Sequence, residues 1–179
     1  LTDWVRNMAD QVAAEWHIVI APDLLSSFDE NISKTSDFAS IDDATQALYS
    51  LNPIQTKSDL LAVSKYTQTL DSHNGKIITA GFCWGWSQVF NFSKDNTTLD
   101  AALVFYWTWP KDESDYDGID IPVYWFYAEN DERVNSTIEQ TKKYMSQKEN
   151  IFEYEIYPWV WHAFMRNAEG NEVDEISKQ

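Results

Sequence analysis

Apolar and polar positions along this chain alternate with two different periods, and the two follow one another in turn. Leu1, Trp4, Val5, Met8, Val12 and Ala13 recur near helical spacing, which predicts a helix over residues 1–15. The β-branched run from His17 to Ala21, closed by Pro22 and Asp23, reads as a strand. Residues 24–42 are polar and rich in Ser and Asp, as a surface loop would be, whereas Leu60, Leu61, Val63, Tyr66 and Leu70 place a helix over 54–70. From there short apolar runs at 76–80, 101–106, 121–127 and 151–157 predict strands, and 88–94 and 137–145 predict helices among them.

Strands that alternate with helices and are apolar on both faces predict a parallel sheet covered on both sides. The expected fold class is therefore α/β. With no internal repeat and no interdomain linker, the 179 residues are expected to form a single domain spanning 1–179.

Charge narrows the function classes. A net charge of -16 opposes binding to nucleic acid or to an anionic membrane, because phosphates attract basic surfaces. No apolar run approaches the roughly 18–20 residues that a membrane span needs. A small-molecule ligand and a monomeric state are expected. The opening segment carries neither an initiator Met nor a basic-then-apolar leader, so the expectation is a cytoplasmic protein, or a periplasmic one if a signal sequence lies upstream of Leu1. A single cysteine can form no internal disulfide and no Cys-rich metal site, and neither a metal nor a cofactor is expected.

That one cysteine stands in a telling context. Gly81-Phe82-Cys83-Trp84-Gly85 has the form G-x-C-x-G between a predicted strand and a predicted helix, which is a nucleophile elbow with sulfur in place of oxygen. The turn calls for small flanking residues, since the nucleophile's backbone is strained and neighbouring segments approach closely. At the following helix N-terminus the helix dipole favours a thiolate. In such a fold the acid and the base follow the nucleophile in chain order, and both candidates end later strands: Asp131 after PVYWFYAEN and His162 after FEYEIYP. Asp131 could instead cap a helix beginning near Val134, and a lone loop histidine could be a surface residue. Glu129 and Glu132 compete with Asp131 for the acid role, and spacing leaves that choice open. His17 and His73 are weaker bases, one at a strand start before the elbow and one in the turn Ser72-His73-Asn74-Gly75. A redox-sensing thiol is a further alternative, though no resolving cysteine accompanies Cys83.

The segments IVIAPDLL (18–25), GFCWG (81–85), VYWFYAENDERVN (123–135) and YEIYPWVWHAFMR (154–166) resemble the dienelactone hydrolase family along nearly the whole chain. The resemblance implies an α/β-hydrolase fold, a mainly parallel sheet flanked by helices, here shortened at the N-terminus and also at the C-terminus. It implies Cys83 as nucleophile, Asp131 as acid and His162 as base, and a hydrolase that cleaves a carboxylic ester or enol-lactone through a cysteine acyl-enzyme without a cofactor. Arg166, four residues past the base, resembles the arginine that receives a substrate carboxylate, for which a guanidinium fork is suited. The backbone N–H of Trp84 is the expected oxyanion donor.

One abundance departs from the family pattern. The chain has 5 glycines beside 9 tryptophans, and Trp16, Trp86, Trp107, Trp109, Trp125, Trp159 and Trp161 stand where family members usually carry glycine. Restoring seven glycines would bring the total close to average usage of about 7%. This points to a bacterial gene that reads UGA as glycine, an expectation that UGG codons at these positions would refute. If the tryptophans are genuine, Trp86 and Trp161 would crowd the elbow and the base, and a non-catalytic, ligand-binding relative becomes the alternative.

Overall fold

The computed structural model describes residues 1–26, 28–108, 110–148 and 151–168. They fall into two compact units, 1–75 and 76–179.

The first unit is helical. Helix α1 (Asp3–Ala14) starts at Thr2, whose hydroxyl accepts the Val5 N–H. Helix α2 (Ile41–Ser50) starts at Ser40, which accepts the Asp43 N–H at 3.1 Å, and α3 (Pro53–Gln68) starts at Asn52 with proline in its first turn. Helix α2 was not expected from the apolar pattern, and its signal is the serine cap with an aspartate three residues on. Leu25, Ala44 and Ala47 form a small core with Phe38, Leu48 and Leu51. Residues 17–21, expected as a strand, belong to no strand of the described sheet. Their β-branched side chains favour extended backbone, but a strand exists only through a hydrogen-bonded neighbour, and none is present among the described residues.

The second unit is a four-stranded sheet in the order β1 (Ile78–Phe82), β2 (Ala101–Phe105), β3 (Val123–Ala128), β4 (Phe152–Tyr157), with every neighbouring pair parallel. Helix α4 (Gly85–Ser93) follows β1 and packs on β1 and β2, and α6 (Ile138–Gln147) packs on β4. The short α5 (Glu132–Asn135) and α7 (Phe164–Asn167) follow β3 and β4. This is the parallel α/β arrangement expected from the alternation of periods. The strands β2 and β3 are largely buried, whereas the outer strand β4 is exposed along Glu153, Tyr154, Glu155 and Ile156, so cover on both faces holds for the inner strands only. Glutamates at every second position mark β4 as an edge that meets water.

Register aligns aromatic rings near the carboxyl ends of the strands. Phe82 pairs with Phe105 and Phe105 with Phe126, and the rings stack at 4.5 Å in both steps. That is close to the spacing of neighbouring strands, so the stacked rings follow the strand pairing and stabilise the register as well as the core. Tyr106, Ala128, Val160, Ala163 and Phe164 form a buried cluster against this ladder, and Cys83 packs on it. No helix among the described residues is long and apolar enough to cross a membrane.

Candidate active site

Because all four strands run the same way, the loops that follow β1, β2, β3 and β4 emerge on one edge of the sheet, where open α/β sheets bind ligands. Cys83 follows β1 directly, Asp131 lies three residues beyond β3 and His162 five beyond β4. Residues 48 and 31 apart in the chain are thereby brought together at one place.

The turn at Cys83 is strained, with φ at 48°, a left-handed value that L-residues other than Gly, Asn and Asp seldom adopt. Gly81 is what lets α4 close over β1: a Cβ there would lie 2.6 Å from the Gly85 carbonyl oxygen and 2.7 Å from Cγ2 of Val89. A Cβ on Gly85 would meet nothing within 4 Å, so of the two flanking glycines only Gly81 is required by close approach. The turn leaves the Cys83 side chain at the N-terminus of α4. The Trp84 N–H, expected as an oxyanion donor, has no acceptor among the described residues.

Cys83 Sγ lies 3.9 Å from Nε2 of His162, a contact long enough to tighten when substrate binds. On the other side of the imidazole, Nδ1 lies 2.5 Å from Oδ2 of Asp131. The same carboxylate caps α5, because its other oxygen, Oδ1, accepts the Val134 N–H. The competing carboxylates are elsewhere: Glu129 accepts the Trp159 N–H at 2.7 Å, and Glu132 is exposed in the first turn of α5. His17 and His73 belong to the first unit, whereas His162 belongs to the second with Cys83.

The loops carrying Asp131 and His162 are tied to each other. The Glu129 N–H donates to Tyr157 and the Asn130 N–H to Val160, and Asn135 Nδ2 donates to the carbonyls of Ala128 and Glu129. The first two bonds hold the Asp131 loop against the His162 loop through backbone alone, and the Asn135 bonds brace the Asp131 loop itself.

The electrostatics of the thiol differ from the expectation of a thiolate favoured by the helix terminus. Burial pushes the Cys83 thiol above its ordinary value, Arg166 and then Arg133 pull it back, and Asp131 raises it again. Desolvation of the charged form outweighs the two cations. The neutral thiol faces His162 Nε2 across the 3.9 Å contact. Arg166, the expected carboxylate receptor, sits exposed in α7 and its charge reaches Cys83.

Two residues near the site were not singled out by the sequence reading. Tyr106 directly follows β2 with φ at 40° and is buried, its ring 5.4 Å from that of His162. Arg133, two residues past the acid, lies 5.3 Å from the ring of Trp107. Only the positive φ of Tyr106 and the fold around Arg133 identify them, and neither shows in apolar periodicity.

The tryptophans expected at family glycine positions divide in two. Trp16 and Trp159 have φ of 67° and 66° and are 97% and 70% exposed, as indoles would be if forced onto left-handed backbone. Trp161 is also exposed. Trp86 and Trp125 are instead buried, with rings 6.3 Å apart, and Trp107 is half-buried; Trp109 lies outside the described residues. With Trp86 and Trp161 both in place, Cys83, His162 and Asp131 still meet.

The sequence profile of the dienelactone hydrolase family matches residues 1–179. The chain is 24% identical over 184 residues to Protein usf of Aquifex pyrophilus, covering 98% of this chain and 75% of that one. It is 26% identical over 174 residues to an Escherichia coli protein provisionally named carboxymethylenebutenolidase, covering 89% of this chain and 62% of that one, less than two thirds of its length. Among solved structures, a protein from Klebsiella pneumoniae provisionally classed as a dienelactone hydrolase superposes with a TM-score of 0.78 at 21% identity, over 98% of this chain and 76% of that one. That likeness shows the α/β-hydrolase fold.

Proposed function

This chain belongs to the dienelactone hydrolase family, which makes it a carboxylic ester hydrolase by class, and we propose that it opens an ester or enol-lactone through an acyl-enzyme on Cys83. One observation carries the proposal: Cys83 Sγ lies 3.9 Å from an imidazole whose other nitrogen lies 2.5 Å from the buried carboxylate of Asp131. Those contacts support an order of events. His162 Nε2 takes the thiol proton as Sγ bonds to the substrate carbonyl carbon, while Asp131 keeps the imidazole in the tautomer that can accept it.

The carbonyl oxygen gathers charge as the tetrahedral intermediate forms, and the Trp84 N–H is the donor available to it. Collapse breaks the bond to the ester oxygen, which leaves with the proton from His162. For a lactone the leaving oxygen stays attached to the acyl chain. Water then attacks the thioester with His162 as base, and the bond from Sγ to the acyl carbon breaks, releasing acid and thiol. Arg166 is the proposed receptor for a carboxylate on the substrate. The Escherichia coli relative's name points to enol-lactones of this kind.

The test is turnover of nitrophenyl esters and of a carboxylated enol-lactone by the parent, Cys83→Ala and His162→Ala proteins, with intact-mass detection of a thioester in rapidly quenched parent. Loss of turnover in both variants and an acyl adduct on Cys83 are expected. Undiminished hydrolysis by Cys83→Ala would overturn the assignment.

A further inference from the structure

We propose that Arg133 and Lys111 form a second, anion-binding subsite of this active site, which takes a carboxylate-bearing arm of the substrate. The proposal rests on the ester-hydrolase reading and adds to it the charge of the preferred substrate: an ester or lactone acidic at a group other than the one Arg166 receives.

A cleft of about 410 Å3 opens beside α5, lined by Thr108, Lys111, Arg133, Ser136, Thr137 and Gln140. Two of these are cations and no carboxylate lines the cleft. The chain as a whole has 29 acidic residues against 13 Lys and Arg, so average composition would give such a wall the opposite sign. The hydroxyls of Ser136 and Thr137 donate to the carbonyls of Arg133 and Val134, and Gln140 donates to the carbonyl of Lys111. Those bonds fix the wall, and recognition of an anion falls to the guanidinium and the ammonium. Neither forms an ion pair with any described residue.

The cleft adjoins the reacting groups. Arg133 follows the acid by two residues, and the Trp107 ring beside it lies 6.2 Å from the ring of His162. Thr108, the next residue, lines the cleft. Arg133 also acts on the Cys83 thiol, as Arg166 does from the base loop. Two cations on different loops therefore act electrostatically on one thiol. A guanidinium fork matches a carboxylate in two bonds, with the lysine adding a point charge, and in an acidic protein a local positive wall gathers anions from solution.

The experiment compares a neutral nitrophenyl ester with nitrophenyl hemiglutarate on the parent, R133Q, K111Q and the double variant, at low and high salt. The ratio of kcat/KM for the acidic ester over the neutral one is expected to fall about tenfold or more in the double variant, mainly through KM, and to shrink with salt in the parent. An unchanged ratio in an enzyme that hydrolyses both esters would overturn the subsite and leave the hydrolase reading intact. Calorimetric binding of glutarate to Cys83→Ala, with and without R133Q and K111Q, is independent of turnover. Binding that weakens about tenfold with those changes supports the subsite even if no ester is hydrolysed. Absence of glutarate binding to Cys83→Ala, or binding insensitive to both changes, would overturn it.

Discussion

His162 Nδ1 lies 2.5 Å from Oδ2 of Asp131, on a carboxylate whose other oxygen caps α5 through the Val134 N–H at 3.3 Å. One side chain thus holds the imidazole and starts a helix, and the two contacts can be separated. Asp131→Asn keeps an oxygen for the cap but presents an N–H toward Nδ1, which disfavours the tautomer needed at Nε2. Its kcat is expected to fall by about 10³–10⁴, with stability nearly unchanged. Asp131→Ala loses both and should also cost about 1 kcal/mol in denaturant unfolding. Equal stabilities for the two variants would show that the cap contributes nothing.

The thiol of Cys83 is raised by burial and held down by Arg166 and then Arg133. Its alkylation by iodoacetamide should therefore rise with pH over a range above that of an unperturbed cysteine. Arg166→Gln should move the range higher, since it removes the first of the two opposing charges. The sign for stability follows: a thiol that holds its proton more tightly when folded stabilises the fold below the unfolded value, and this is lost as pH rises toward the folded one. Cys83→Ala should remove that slope. A rate profile lying below that of free cysteine would contradict the account.

Gly81 and Gly85 flank the same cysteine and should respond differently. Alanine at 81 drives a Cβ to 2.6 Å from the backbone of α4, so Gly81→Ala is expected to lose roughly 1–3 kcal/mol in urea unfolding and most ester turnover. Alanine at 85 meets open space and should change stability by no more than about 0.5 kcal/mol.

Trp16 and Trp159 occupy left-handed backbone and are exposed, so glycine at either should stabilise by about 1 kcal/mol, the relief of strain exceeding the entropy that glycine adds to the unfolded chain. Trp125 is buried in β3 against Trp86, Tyr127 and Phe152, and Trp125→Gly should cost about 3 kcal/mol or more. Thermal unfolding of the three variants checks both statements. A Trp125→Gly protein as stable as its parent would mark that position, too, as one built for glycine.

Much of the second unit could be read from the chain. Runs such as Ala101–Phe105 and Val123–Ala128 are apolar at nearly every position, which is what a strand buried on both faces requires, and the elbow declares itself by glycines on either side of Cys83. Helix α2 and the unpaired segment 17–21 escaped for opposite reasons. The first carries its signal in a cap rather than an apolar stripe, and the second has strand composition without a strand to pair with.

By itself, then, the sequence determined the alternation of strand and helix, the parallel sheet, and the chain order of Cys83, Asp131 and His162, each just past the end of a strand. Local periodicity and turn chemistry act over a few residues and are written in neighbouring side chains. Only the tertiary structure decided which of three nearby carboxylates meets His162, that burial outweighs the charges of Arg166 and Arg133 at Cys83, and that Arg133 lies over the Trp107 ring. Each of those depends on distances between residues far apart in the chain. Such distances are set by strand register and by the bonds that tie the loops after β3 and β4 together.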